Sequence, residues 1–147
     1  MPGQMGIQSD VFAFEIKTLT SAVHSQGGKI WMQLVHAGGQ ARAETIGSRP
    51  VAPSAVVVPQ FPGTLAEFSR VDIAELVALF SAGAKRAREY GFDAVQLHSA
   101  HGFLIIQFLS PSTNRRSDFY GGSVENRRSF LMEVYRVVRA PWVMISL

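Results

Sequence analysis

Residues 91–111 read GFDAVQLHSAHGFLIIQFLSP, from Gly91 to Pro111. A short apolar run, Ala94 to Leu97, ends in two histidines three residues apart, His98 and His101, and a second apolar block follows, closed by Ser110 and Pro111. A strand with polar residues at its end is where α/β proteins keep their chemistry, because the strand is rigid and the loop after it is free to vary. The rest of the chain reads as support for this strand end.

Upstream, Phe12, Ile16, Leu19 and Val23 fall at spacings of four, three and four, one face of a helix that Ser9 or Asp10 can cap and Gly27 and Gly28 can end. Lys29 to His36, KIWMQLVH, has strand length and an apolar character that predicts burial. Residues 37–70 carry prolines at 50, 53, 59 and 62 without a period, so they read as a long loop, and long loops in compact domains commonly serve a site. Ser69 and Asp72 form a capping-box pattern ahead of the stripe Ile73, Leu76, Val77, Phe80, Ala84 and Ala87, which Gly91 stops. Phe92 to Ser99 is then a second strand, Ser123 opens a third helix that Pro141 ends, and Val143 to Leu147 reads as a further strand.

Helices thus alternate with strands that are apolar on both faces, as in a parallel sheet covered on both sides. Two architectures satisfy that order, a doubly wound sheet and a (β/α)8 barrel. The glycine fingerprint of a dinucleotide-binding turn does not follow either strand, which leaves the nucleotide-binding version of the former unsupported.

The composition of the 147 residues, 47% apolar and 17% charged, is that of one globular domain. A net charge of +3 is too small to argue for nucleic acid, and the absence of cysteine excludes disulfides and thiolate chemistry in this segment. The N-terminus lacks the basic and apolar regions of a signal peptide and no apolar run reaches membrane length, so a cytoplasmic protein with no membrane partner is expected.

Three sets of residues can carry chemistry. His98 and His101 can converge on one acceptor atom and stabilise negative charge developing there. The competing readings are a packed core histidine and a metal pair; the latter needs a third ligand, and Asp93 lies at the other end of the strand, so no metal site is assigned. Gln33 sits among apolar strand residues, where its amide needs partners, and a heterocycle bearing donors and acceptors would satisfy it, as would the backbone. In 114–128, NRRSDFYGGSVENRR, four arginines alternate with Asp118 and Glu125, a pattern that favours internal ion pairs pinning a loop over a phosphate site.

At this length the string HSAHGFLIIQFLSPSTNRRSDFYGGSVENRRSF resembles the signature of the Old Yellow Enzyme family of FMN-dependent ene-reductases, and GGKIWMQLVHAGGQA resembles its third strand. The resemblance runs from about Gly27 to Arg139. It implies an α/β fold, a (β/α)8 TIM barrel with FMN at the C-terminal ends of the strands, and an NAD(P)H-driven reduction of the C=C bond of α,β-unsaturated carbonyl compounds. It further implies that Gln33 bonds the flavin and that His98 and His101 grip the carbonyl oxygen of the small-molecule substrate.

Departures from the pattern carry their own expectations. Phe103 stands where the family usually has a proton-donating tyrosine, which turns attention to proton delivery by another group or to a flavin-dependent isomerase. Gly39 stands where many relatives have arginine, and Met144 where an arginine would reach the flavin. A (β/α)8 barrel takes about 250 residues, so residues 1–147 are expected to be an incomplete FMN-binding barrel domain, roughly helix 2 to strand 5. A non-catalytic truncated fragment that does not hold FMN is therefore the other reading, and open barrel edges predict homo-oligomers or aggregation.

Overall fold

The computed structural model describes residues 5–59, 61 and 63–142. In chain order these form α1 (Ala13–Ser25), β1 (Trp31–Leu34), α2 (Ala43–Ile46), β2 (Val51–Ala52), β3 (Ala66–Glu67), α3 (Arg70–Glu89), β4 (Ala94–Leu97), α4 (Leu104–Leu109), α5 (Val124–Arg127) and α6 (Ser129–Arg139). The strand expected over Val143–Leu147, and with it Met144, lies outside the described residues.

The strands β1 and β4 pair in parallel, Trp31 against Ala94 through Leu34 against Leu97. The ladder continues one step beyond the strand, with the His98 N–H donating to Leu34 O at 2.9 Å. Helix α3 connects the two strands and packs on both, and α6 packs on α3. Its start follows the sequence pattern: the Ser69 hydroxyl accepts from Asp72 N at 3.1 Å while the Asp72 carboxylate accepts from Ser69 N at 2.8 Å. Ile73, Leu76, Phe80, Ala84 and Ala87 of the stripe are buried. Phe130 of α6 stacks on Phe108 of α4 with centroids 4.3 Å apart and meets Phe80 of α3 edge-on, so aromatic packing joins the three helices.

Several expectations are corrected. The stripe on α1 is narrower than the spacing predicts, with Ile16 and Thr20 buried and Leu19 exposed. Ser9 makes no side-chain cap. Asp10 instead takes hydrogen bonds from Arg86 Nε at 2.9 Å and the Tyr90 hydroxyl at 2.7 Å, tying the chain before α1 to the end of α3. The long loop holds structure of its own, a two-residue parallel bridge between β2 and β3. The third helix is broken at Arg128 into α5 and α6.

The largest correction concerns β1, which is buried on one face alone. Met32 and Leu34 point into the helix layer, whereas Trp31 is 68% exposed and Gln33 is exposed beside the equally exposed Gln96. A sheet with helices on a single side shows the alternation of a half-buried strand, whatever its apolar content. Gln33 is therefore not an amide trapped in a core.

Candidate functional site

The site forms where the segments after β1 and β4 meet. His98 follows β4 directly, and period-2 alternation puts its side chain on the same bare face as Gln96 and Gln33, about 7 Å further along the strand. The chain then turns sharply: His101 has φ +54 and Gly102 φ +74 before Phe103 opens α4. A histidine in the left-handed region is uncommon and persists where its surroundings hold it.

That turn brings the two imidazoles together. His98 Nε2 and His101 Nδ1 lie 3.4 Å apart and the rings meet edge to face at 5.2 Å. One nitrogen of this contact must carry the proton, so while the neutral pair is in contact one ring N–H remains for an external acceptor, and both imidazoles can donate to the same acceptor once the contact opens. Phe103 packs its ring against His98 at 4.8 Å, so it orients the imidazole and offers no proton. The structure thus gathers His98, His101 and Phe103 into one cluster and sets Gln33 and Gln96 beside it on the same face. The Gln33 Nε2 group donates to Gln96 Oε1 at 2.8 Å, and the Gln33 carbonyl and the Gln96 amide have no partner among the described residues, an acceptor next to a donor. That pair fits the polar edge of a flat heterocycle lying over the sheet.

His36 ends the other segment. Its Nδ1 accepts from Gly38 N at 3.0 Å, which fixes the proton on Nε2, and burial lowers its pKa below the ordinary histidine value. Gly39 lies packed against Phe61 and Leu65 with no room for a longer side chain as the chain stands.

The arginine-rich arm is structural, as the alternation of charges predicts. Arg116, with its side chain only 6% exposed, makes a bidentate pair with Asp118 at 3.0 and 2.6 Å. It also donates to Pro53 O and Phe68 O, which pins the long loop. Its guanidinium holds the Asp118 carboxyl below the usual carboxylate range. Glu125, by contrast, makes no ion pair among the described residues; Arg127 donates to the carbonyls of Leu109 and Gly122 instead. Asp93, at the far end of β4, binds His24, Lys29 and the Ile30 N–H, and those hydrogen bonds, His24 first, lower its pKa.

Two clefts flank the sheet. One of about 400 Å³ runs along β1 between residues 5–8 and α3; the other, about 430 Å³, runs along β4 beside α6. Both are strand-edge gaps, and neither contains His98 or His101. No helix among the described residues is long and apolar enough to cross a membrane.

The chain is 44% identical over 138 residues to an NADPH dehydrogenase of Geobacillus sp. (strain WCH70), covering 94% of this chain and 40% of that protein. Among solved structures it is similar to the old yellow enzyme homologue of Zymomonas mobilis (TM-score 0.86, 38% identity, 92% of this chain and 41% of that one). It is also similar to morphinone reductase in complex with tetrahydroNAD (TM-score 0.88, 35% identity, 92% and 42%). The fold is accordingly part of a (β/α)8 TIM barrel, and the chain spans about 40% of the length of the curated relative it matches. Residues 1–142 match the profile of one family across nearly the whole sequence, and the chain belongs to that family, the NADH:flavin oxidoreductase / NADH oxidase family.

Proposed function

We propose that the protein containing this chain is an FMN-dependent oxidoreductase that uses NAD(P)H to reduce the C=C bond of α,β-unsaturated carbonyl compounds, and that residues 98–103 supply its carbonyl-binding site. Membership of a flavin oxidoreductase family supports FMN as cofactor and NAD(P)H as reductant. The observation that carries the substrate class is the contact of His98 with His101 at 3.4 Å on the open face of the sheet.

The residues divide the work as follows. Gln33 and Gln96 hold the flavin ring through the acceptor and donor that their mutual hydrogen bond does not use. When bound and reduced, FMN supplies the hydride. Once a carbonyl oxygen displaces their mutual contact, His98 and His101 each donate an N–H to it and draw electron density from the double bond, which makes the β-carbon a better hydride acceptor. Phe103 holds His98 in place and excludes water from one side of it. Since Phe103 has no proton to give, the proton for the α-carbon comes from solvent.

The test is the purified chain with FMN, NADPH and a simple cyclic enone, following cofactor retention, NADPH consumption and the saturated ketone. Retained flavin and ketone formation are expected, with His98→Ala and His101→Ala each slowing turnover by about 10²- to 10³-fold. A colourless protein that FMN does not restore would favour a non-catalytic fragment. Rearranged enone in place of ketone would favour the isomerase reading prompted by Phe103.

A further inference from the structure

The segments after β1 and β4 are stitched together by two glutamines, Gln107 and Gln40. Gln107 of α4 is 2% exposed. Its Oε1 accepts from Gly39 N at 3.0 Å, while its Nε2 donates to Ala37 O at 3.1 Å and Gly102 O at 2.6 Å. Gln40 makes the reverse crossing and donates from Nε2 to His101 O at 2.8 Å. Each amide also packs over a glycine of the opposite segment, Gln107 on Gly38 and Gln40 on Gly102, in the space a Cβ would need, and both glycines have positive φ. Leu104 N completes the seam by donating to His36 O at 3.0 Å.

We infer that Gln107 and Gln40 are positioning residues for the histidine pair: by clamping the carbonyls of His101 and Gly102 they hold the left-handed turn that brings His101 against His98. The chemistry explains the choice of residue. A buried amide with one acceptor and two donors satisfies three backbone groups on two segments at once, which neither a carboxylate nor an apolar side chain of that size can do. With its anchors gone, the turn can relax toward ordinary φ values, where His101 leaves His98. The inference rests on the proposed role of the histidines for its catalytic meaning, but the geometry it asserts can be measured without flavin or substrate.

The experiment is imidazole ¹⁵N–¹H correlation spectroscopy on the full chain with labelled histidine, together with amide hydrogen exchange, for Gln107→Met, Gln40→Ala and the unaltered protein. Gln107→Met is expected to speed exchange at Gly39 by about 10- to 100-fold, the loss of one buried hydrogen bond. Both variants are expected to shift the nitrogen signals of His98 and His101 away from the tautomers of the paired state while leaving His24 unchanged. If Gln107→Met does not fold, Gln40→Ala carries the test, because it removes one hydrogen bond from a half-buried side chain. Imidazole signals of His98 and His101 that match the unaltered protein in Gln40→Ala would overturn the inference. A chain that binds no FMN and still shows the shifts would uphold the positioning role and remove the proposed reaction instead.

Discussion

Replacing Arg116 by methionine removes the fork that joins the long loop to the segment after α4. Methionine leaves the carbonyls of Pro53 and Phe68 without a donor and Asp118 without its partner. Each orphaned buried acceptor costs about 1–3 kcal/mol, and Asp118, still 28% exposed, falls at the low end because water replaces part of what it loses. The expected total is about 3 kcal/mol, at the low end of the range of about 3–5 kcal/mol for breaking a fully buried pair. With a urea slope of about 2 kcal/mol/M, the unfolding midpoint should fall by about 1.5 M. Arg116→Lys keeps the charge but not the fork, so its midpoint should fall between the two. The acid limb gives a second readout. Asp118 has a folded pKa below its unfolded one, so its contribution is present above the unfolded value and is lost as pH falls through the folded value. Arg116→Met should therefore lose less stability than the unaltered chain between about pH 5 and pH 3. An unchanged midpoint together with an unchanged acid limb would refute the view that this arginine pins the loop.

Three further outcomes are expected. His36 has a pKa lowered chiefly by burial, so the stability tied to its neutral form is complete above about pH 6.5 and declines as pH falls through the folded value, by at most about 1.4 kcal/mol per pH unit; His36→Gln should flatten the urea-midpoint profile between pH 7 and 5. Gly38→Ala combines a φ of +58 with collision against Gln107 and should cost about 2–4 kcal/mol in a denaturant melt, whereas Gly47→Ala, at φ +69 with open space around it, should cost about 1 kcal/mol. Phe103→Tyr keeps the ring against His98 and adds a hydroxyl at the site; enone turnover measured by product chromatography should rise, and an unchanged rate would show that solvent already delivers the proton without limiting it.

The sequence made the frame of the site legible where a local rule decides the outcome. Ser69 and Asp72 cap α3 because that geometry is set within four residues, and the stripe from Ile73 to Ala87 buries itself by helical period alone. His98 was readable because a polar residue ending an apolar run has few other places to go. Long-range arrangements were not legible in the same way. Helix α4 spans six residues without a side-chain cap and owes its form to packing on Phe130, so LIIQFL carries no helical period to detect. Gln107 looked like one polar residue in an apolar block; its three partners come from residues 37, 39 and 102. A signal did exist, since a buried amide in such a block must find partners, the same argument applied to Gln33. The exposure of Gln33 is not legible, because apolar neighbours along β1 say nothing of which face is covered.

The central claim is that His98 and His101 polarise a carbonyl oxygen beside a flavin held over Gln33 and Gln96. The most direct measurement is the carbonyl stretching frequency of an isotopically labelled cyclic enone bound to the FMN-loaded chain. The account predicts a shift to lower frequency than in water, lost when both histidines are replaced by alanine. A frequency that is the same with and without the two imidazoles would contradict it.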